Sequence, residues 1–291
     1  MTTADSNDVY FVSEHSAKKQ KEYDMDFQEI AKIDDDLKRN EELYKFFDEE
    51  KRLFSKSGQV EKITTLKEIS NLINQDSKIL DVGAGTGVYT IPLSERVNEV
   101  VAYEPATNNY KQLKEKIKNN KFHNVTVENK SSLDMTELRD NYFDLVLLFG
   151  PMYHLSKEED RKRTIKEAKR VLRDGGYILV SFINHDMIPM TEMVYEANYF
   201  ETEGYNPNTQ RLINRPFIFF TLSECIEMLE MENLTIIRKI ATSGFSELLQ
   251  KQIDNMSDLS YERYIDWHLA HCDKEELLGA SNHYLFVCKI K

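Results

Sequence analysis

The sequence contains few of the residues that define several classes of protein. Among 291 residues there are only three cysteines, Cys225, Cys272 and Cys288, and no two of them form a CxxC pair. This spacing predicts reduced, structural thiols and excludes a disulfide framework or a cysteine zinc site. Ten glycines and six prolines are also too few for a collagen-like or linker-dominated chain.

Long apolar runs and an excess of positive charge are lacking as well. The longest apolar stretch, LVLLFGPM at 145–152, falls far short of the ~20 residues that a membrane helix needs. The first residues lack the basic and then apolar pattern of a signal peptide. Fifty acidic and 38 basic side chains give a net charge of −12, which repels phosphate backbones. We therefore expect a cytoplasmic protein that binds neither membrane nor nucleic acid.

The N-terminal region shows helical rather than strand-like periodicity. Apolar residues recur at helical spacing over 27–53. Ser57-Gly58 is predicted to interrupt the run before a further helix over 60–73. We predict a tail followed by helices that pack on the core, act as a lid or provide the surface of a homodimer.

From residue 77 onward, short runs of β-branched and other apolar residues alternate with helical patterns. The runs are KILDV (78–82), EVVAYE (99–104), NVTVEN (124–129), FDLVLLF (143–149) and YILVSFI (177–183). Strands that alternate with helices pair in parallel through right-handed crossovers, which predicts a doubly wound, Rossmann-like α/β fold. LTIIRKI (234–240) and HYLFVCKI (283–290) complete a mostly parallel seven-stranded sheet with an antiparallel strand at its edge.

These patterns divide the chain into four parts. The N-terminal tail and helical lid span 1–75, and the Rossmann-like core spans 76–184. Residues 185–232 hold many aromatic side chains between Asn, Pro and Gly, which predicts an irregular cap over the sheet edge. Residues 233–291 supply the last strands and helices.

The most informative run is KILDVGAGTGVYTIPLS at 78–94. It puts Gly83, Gly85 and Gly87 between the end of the first strand and the predicted start of a helix. Glycines let the chain turn sharply and let a ligand lie against bare backbone, while a helix N-terminus offers free N–H groups. Glu104 ends the second strand, where a carboxylate can accept both hydroxyls of a ribose.

Two details favour one kind of nucleotide. The glycine spacing is GxGxG rather than the GxGxxG of dinucleotide-binding proteins, and Asp81 precedes the first glycine by two residues. A carboxylate at that point repels a pyrophosphate but attracts an ammonium or sulfonium group. A dinucleotide dehydrogenase is the competing interpretation.

At these residues the sequence resembles the class I S-adenosylmethionine-dependent methyltransferases. ILDVGAGTG (79–87) is similar to their first motif, and FDLVLLFGPMYHL (143–155) is similar to their fourth-strand motif. RVLRDGGYILVSF (170–182) resembles their approach to the fifth strand. The GPMYHL variant resembles that of bacterial methyltransferases of mostly unassigned substrate, so it does not specify the acceptor.

The resemblance implies S-adenosyl-L-methionine as cofactor, S-adenosyl-L-homocysteine as product and a set of residues that bind them. Asp81 would lie near the methionine amino group, which the carbonyls of 149–150 would also approach, and Glu104 would bind the ribose hydroxyls. Leu133 and the neighbouring backbone would flank the adenine, and Ser132 would lie near its edge. The implied cofactor-binding set is Asp81, Val82, Gly83, Ala84, Gly85, Gly87, Glu104, Pro105, Ser132, Leu133, Phe149 and Gly150.

Catalytic candidates follow the fourth and fifth strands. Methyl transfer from a sulfonium is an in-line displacement that depends on alignment, and it needs a base only where the acceptor carries a proton. We predict that Tyr153 orients the acceptor and that His154 is the base, with a structural histidine as the alternative. His185 and Asp186 are weaker candidates because adjacent side chains of an extended segment diverge. The histidine spacing predicts no metal site.

The sequence thus predicts an enzyme that methylates nitrogen or oxygen of a small molecule. One alternative is an RNA or protein methyltransferase of the same fold, which the net charge of −12 disfavours for RNA. Another is a subunit that binds the cofactor or its product without turnover.

Overall fold

The computed structural model describes residues 29–46, 52–214 and 216–291. The predicted N-terminal tail and the beginning of the helical apolar pattern over 27–53 therefore lie outside the described residues. Within the described ranges, every helix is too short or too polar to span a bilayer.

A mostly parallel sheet forms the centre of the protein. The strands are β1 (Lys78–Val82), β2 (Glu99–Tyr103), β3 (Val125–Glu128), β4 (Phe143–Leu148), β5 (Leu172–Asn184), β6 (Tyr205–Asn206), β7 (Arg211–Leu212), β8 (Phe219–Phe220), β9 (Leu234–Ala241) and β10 (His283–Ile290). The main sheet has the order β3-β2-β1-β4-β5-β10-β9, with β8 paired to β5 off this path and β6-β7 as a separate hairpin. The predicted doubly wound fold is confirmed, and the short β8 is an addition to the seven predicted strands.

The last strand reverses the direction of the sheet. β10 runs antiparallel to both β5 and β9, and β9 forms the edge. Because β10 runs in the opposite direction, it begins at the end of the sheet where the parallel strands finish, which is their carboxyl end. Its first residue, His283, pairs with Ile183 of β5. Residues that follow the parallel strands and residues that begin β10 therefore meet along one edge.

Helices cover both faces of the sheet. They are α1 (Asp36–Phe46), α2 (Lys56–Ser70), α3 (Thr90–Ser94), α4 (Thr107–Asn120), α5 (Pro151–His154), α6 (Glu158–Val171), α7 (Ile188–Glu192), α8 (Leu222–Met231), α9 (Gln250–Asp254), α10 (Asp258–Leu269) and α11 (Glu275–Leu278). Apolar residues of α6 and α8 pack on one face of the sheet, and Ile69 of α2 packs on the other. Burial on both faces explains why the central strands are nearly continuous apolar runs.

The prediction that Ser57-Gly58 interrupts a helix is wrong. Helix α2 begins before this pair, and its N-cap is Ser55, whose Oγ accepts a hydrogen bond from the Gly58 N–H at 3.0 Å. A Cβ on Gly58 would lie 2.1 Å from the carbonyl oxygen of Arg52. The glycine therefore marks a close approach of two backbone segments inside the first helical turn.

Replacing Gly58 by alanine tests this contact. In an open helical position Gly→Ala stabilises by roughly 0.5–1 kcal/mol. Here we expect the free energy of unfolding to fall by about 1–3 kcal/mol, because the new methyl group displaces the Arg52 backbone. Urea unfolding measures the difference.

The matched control is Gly279→Ala. Gly279 has a φ of −63°, and a Cβ there would meet nothing within 4 Å. We expect this variant to be neutral or slightly stabilised. Equal effects of the two substitutions would contradict the close approach at Gly58.

Candidate active site

A cavity of about 1560 Å³ lies along the carboxyl edge of the sheet. Its walls come from the glycine loop after β1, the segment after β4, the first turns of α2, the cap between β5 and β8, and the first residue of β10. Of the predicted site residues, those that line it are Gly83, Ala84, Gly85, Glu104, Pro105, Phe149, Gly150, Tyr153 and His154.

Two glycines of the loop have distinct reasons to lack a side chain. Gly83 has a φ of +85°, and a Cβ on it would lie 3.3 Å from the Cα of Gly150. Gly85 has a φ of +56°, but a Cβ on it would meet nothing within 4 Å. Because Gly85 lines the cavity, a methyl group there would project into the space that a ligand needs.

Gly87 has a packing role instead. A Cβ on it would lie 2.5 Å from Cδ1 of Leu113, and Gly87 is not among the residues that line the cavity. The helix predicted to open here begins only at Thr90 and has five residues. The loop therefore presents turns, including Thr86 and Tyr89, to the cavity.

Glu104 holds the glycine loop from the end of β2. Its Oε2 accepts a hydrogen bond from the Gly85 N–H at 2.7 Å, and its Oε1 accepts one from the Ala106 N–H at 2.8 Å. Burial raises the pKa of Glu104 to about 7, although these two N–H groups oppose the shift. Each carboxylate oxygen has a further lone pair and can also accept a hydrogen bond from a ligand hydroxyl.

Asp81 lies behind the loop and is almost fully buried. Its Oδ2 accepts a hydrogen bond from the Thr90 hydroxyl at 2.6 Å, while its Oδ1 is buried without a partner in the described part of the chain. Burial raises the pKa of Asp81 to about 6, against the lowering effect of Thr90. A buried carboxylate with one unpaired oxygen is costly until a cation or a donor completes its surroundings.

Five residues of the predicted cofactor set are not among the residues that line the cavity, namely Asp81, Val82, Gly87, Ser132 and Leu133. Ser132 Oγ is 2.9 Å from Thr164 Oγ1 in the protein interior. Asn108 of α4 lines the cavity. Contact of Ser132 and Leu133 with an adenine therefore stays a prediction.

Tyr153 and His154 belong to an aromatic group at the cavity wall. His154 Nε2 lies 2.7 Å from the Tyr44 hydroxyl, and the His154 ring centroid lies 4.9 Å from that of Tyr153 and 5.4 Å from that of Phe217. The Tyr153 hydroxyl donates to the carbonyl of Phe149 at 2.7 Å. The N-terminal helix, the end of β4 and the cap thus meet around one imidazole.

The environment of His154 disfavours proton transfer by its ring. Burial lowers the pKa of His154 to about 3, and the charge of Arg39 adds to the shift. The ring is therefore neutral at ordinary pH and is a weak base. Its contact with the Tyr44 hydroxyl favours the structural alternative, in which the imidazole fixes the orientation of that tyrosine.

Arg39 fastens α1 to the segment after β4. Its side chain is fully buried, and its Nη2 donates to the His154 carbonyl at 3.1 Å while its Nη1 donates to the Ile33 carbonyl at 2.9 Å. It also forms an ion pair with Asp36, whose Oδ2 accepts a hydrogen bond from the Ser156 N–H at 2.8 Å. The guanidinium and the carboxylate together connect helix and strand end at two points.

His185 and Asp186 make a contact that the sequence argument treated as the weaker possibility. His185 Nδ1 lies 2.8 Å from Asp186 Oδ1, so the prediction that these side chains diverge is wrong. His185 Nε2 accepts a hydrogen bond from the Leu212 N–H at 3.0 Å. Both ring nitrogens are therefore occupied in holding the cap, and His185 is not among the cavity-lining residues.

Sequence reasoning missed cavity residues that come from distant parts of the chain. They are Tyr44, Arg52, Glu61, Glu247, Asn282 and His283. No local motif marks them. One topological signal was present, because an antiparallel last strand must begin at the edge where its parallel neighbour ends.

Comparison with known proteins identifies the core. Residues 80–180 match the family model described as a methyltransferase domain. A protein of Encephalitozoon cuniculi (strain GB-M1) that is named as a methyltransferase is 28% identical over 144 residues, covering 47% of this chain and 60% of that protein. A protein of Salinispora arenicola named as a nonribosomal peptide synthetase matches over 1% of its length. The chain thus spans less than two thirds of these curated relatives.

Solved structures share the fold. The Haemonchus contortus phosphoethanolamine N-methyltransferase 1, in complex with phosphoethanolamine and S-adenosylhomocysteine, has a TM-score of 0.55 at 15% identity, covering 88% of this chain and 48% of that chain. A Leishmania major SAM-dependent methyltransferase has a TM-score of 0.52 at 14% identity, covering 79% and 72%. Such low identities show a common fold alone.

The lowered pKa of His154 predicts an acid-sensitive fold. The folded protein keeps the ring neutral, whereas the unfolded chain protonates it near pH 6.5, so stability is lost as pH falls below 6.5. This contribution amounts to about 2 kcal/mol between pH 8 and pH 5. In His154→Phe, the pH dependence of the unfolding free energy should shrink by that amount, as urea titrations at both pH values measure. His123→Phe, at an exposed site, is the control, and equal pH dependence in both variants would contradict the assignment.

Proposed function

We propose that this chain, whose core is a methyltransferase domain of the class I S-adenosylmethionine-dependent family, transfers a methyl group to nitrogen or oxygen of a small molecule. The observation that carries the proposal is the glycine loop at the wall of a large cavity, which the buried carboxylate of Glu104 holds by a hydrogen bond, with the buried carboxylate of Asp81 preceding the loop in β1. We call residues 83–85 with Asp81 and Glu104 the methyl-donor cradle.

The residues present fit S-adenosylmethionine. Glu104 has accepting capacity for ribose hydroxyls, and Gly85 leaves open space against its backbone. The unpaired Oδ1 of Asp81 is suited to a positive group rather than to a phosphate. When bound, the cofactor supplies a cationic sulfonium whose methyl carbon is open to in-line attack.

The size of the cavity supports a second, small ligand beside the cofactor. Pockets for one drug-sized ligand measure roughly 300–1,000 Å³, and this cavity measures about 1560 Å³. Its wall also includes aromatic residues of the cap, among them Tyr195, Tyr199 and Phe217. Aromatic side chains beside the cradle suit a small acceptor with an apolar part.

Rate enhancement in this site comes from alignment. Holding acceptor and donor in line supplies up to about 7–11 kcal/mol of the barrier. The His154 contact holds the Tyr44 hydroxyl at the wall, where it can orient an acceptor atom by a hydrogen bond. Tyr153 is held through its bond to the Phe149 carbonyl and shapes the same wall.

Turnover is tested by incubating the protein with methyl-labelled S-adenosylmethionine and a panel of small amines and hydroxyl compounds. We expect one chemical class to yield labelled product and stoichiometric S-adenosylhomocysteine. Labelling of RNA or of proteins in parallel incubations, with none of the small molecules, would contradict a small-molecule acceptor. Cofactor binding without any transfer would support the non-catalytic alternative.

A pair of glycine variants tests the cradle itself. Gly85 and Gly175 both have positive φ, +56° and +75°, and a Cβ on either meets nothing within 4 Å. Alanine should therefore cost each site about 1–2 kcal/mol of backbone strain. Only Gly85 lines the cavity, so we expect Gly85→Ala to weaken S-adenosylhomocysteine binding at least tenfold and Gly175→Ala to leave it unchanged. If calorimetry finds that both variants bind S-adenosylhomocysteine as the native protein does, the ligand does not bind at this loop.

The raised pKa of Glu104 predicts that cofactor affinity depends on pH. The carboxylate form accepts hydrogen bonds from the ribose hydroxyls. The affinity for the cofactor is therefore highest above pH 7 and decreases as the pH falls through that value. A single such group gives about a tenfold loss between pH 8 and pH 6. Glu104→Gln should bind S-adenosylhomocysteine roughly 10- to 100-fold more weakly and lose this pH dependence. Glu115→Gln, on an exposed face of α4, is the control and should behave as the native protein does.

A further inference from the structure

A second group of ionisable side chains lines the same cavity outside the methyl-donor cradle. Glu61 comes from α2, Glu247 from the segment before α9, and His283 from the start of β10. His283 Nδ1 lies 3.4 Å from Glu61 Oε2 and 3.4 Å from Glu247 Oε1. One potential ligand atom from each of the three residues falls within 4.8 Å of the others. We call these residues the Glu-Glu-His group.

Two of the three facing atoms of this group lack the short hydrogen bonds that buried polar atoms normally make, while the third, Glu61 Oε2, accepts one from Arg52. Glu247 Oε1 and His283 Nδ1 are both buried without a hydrogen-bond partner in the described ranges. Asn282, which is 3% exposed, also has an unpartnered Oδ1, while its Nδ2 donates to Glu247 Oε2 at 2.6 Å. Beyond the 3.4 Å ion pairs of His283 with the two carboxylates, atoms on three adjoining side chains keep unused hydrogen-bonding capacity, which indicates that the group can receive a further partner.

The separations suit a metal ion. Ligands about 2.1 Å from a tetrahedral ion lie about 3.4 Å from each other, and both contacts of His283 with the carboxylates have that length. Two carboxylate oxygens with one imidazole nitrogen suit Zn²⁺ or Mn²⁺ better than they suit Ca²⁺, which prefers ligands that are all oxygen atoms. Asn282 orients Glu247 in the way that outer partners orient metal ligands.

Arg52 donates a hydrogen bond to one carboxylate of the Glu-Glu-His group but not to the other. Its Nη2 donates to Glu61 Oε2 at 2.8 Å, but its Nη1 is 3.9 Å from Glu247 Oε1, beyond hydrogen-bond distance. A carboxylate oxygen has a second lone pair, so Glu61 can accept from arginine and still bind an ion. The guanidinium nevertheless opposes a cation, and its removal should strengthen binding.

We propose that Glu61, Glu247 and His283 bind a divalent transition-metal ion such as Zn²⁺ or Mn²⁺. Three protein ligands leave open coordination positions, as in metal sites that bind substrate. β10 is three strands from β1, whose following loop forms the cradle, and three strand spacings measure roughly 14 Å. If the proposed methyl transfer holds, a hydroxyl or amine of the acceptor can therefore occupy an open position while its other end reaches the donor.

The test uses the full chain, freed of metal by chelation and titrated calorimetrically with Zn²⁺ and with Mn²⁺ alone. We expect one ion per chain, binding at least tenfold weaker in His283→Gln and in Glu247→Gln, and tighter binding in Arg52→Gln. His271→Gln, which removes a histidine of the α10 region that bonds to the Trp267 carbonyl, is the matched control and should match the native protein. Absence of stoichiometric binding, or equal binding by native protein and His283→Gln, would overturn the proposal.

Metal and cofactor are measured separately so that the two proposals can fail independently. S-adenosylhomocysteine affinity without metal should persist in His283→Gln, which also shows that the variant is folded. If native protein binds S-adenosylhomocysteine but no metal, only the proposal of the metal site is overturned. If it binds metal but no S-adenosylhomocysteine, only the proposal of the cradle is overturned. If His283→Gln does not fold, selective broadening of the His283 ring resonances by Mn²⁺ in native protein decides the question. Broadening of all histidines alike would overturn the site.

Discussion

The hydrogen bond from the Gly85 N–H to the buried carboxylate of Glu104 is the contact on which the candidate site depends. It connects the loop after β1 to the end of β2 and fixes the loop in a conformation with positive φ. The same carboxylate is kept partly protonated by its burial, since its pKa is raised to about 7. The conformation of the loop and the protonation of this carboxyl group therefore both depend on the burial of Glu104.

The topology explains why the cavity extends beyond this loop. Parallel strands bring their following segments to a single edge, which accounts for Tyr153, His154 and Glu104. The reversed β10 adds the beginning of a strand to that edge and so contributes His283 next to Ile183. Residues separated by more than 200 positions, such as Glu61 and His283, then face each other across the cavity.

The sequence was sufficient for the fold and for the loop, because both depend on local patterns. Apolar runs identified the strands, and the glycine spacing with Glu104 predicted the loop that lines the cavity. It failed where a side chain's role depends on a distant neighbour. Gly58 was predicted to break a helix because its close approach to the Arg52 carbonyl cannot be deduced from the sequence. His154 was predicted to act as a base because its burial against Tyr44 cannot be deduced from the sequence either. Tyr44 and His283 belong to segments with no motif, so only the folded chain reveals them.

Arg39 has a mechanical consequence for the wall of the cavity. Its buried guanidinium bonds to the Ile33 carbonyl before α1 and to the His154 carbonyl after β4. Moving α1 away from the segment after β4 would separate Arg39 from the His154 carbonyl and Asp36 from the Ser156 N–H. Tyr44 belongs to the same helix, so such a movement would also displace the hydroxyl that contacts His154 at the cavity wall.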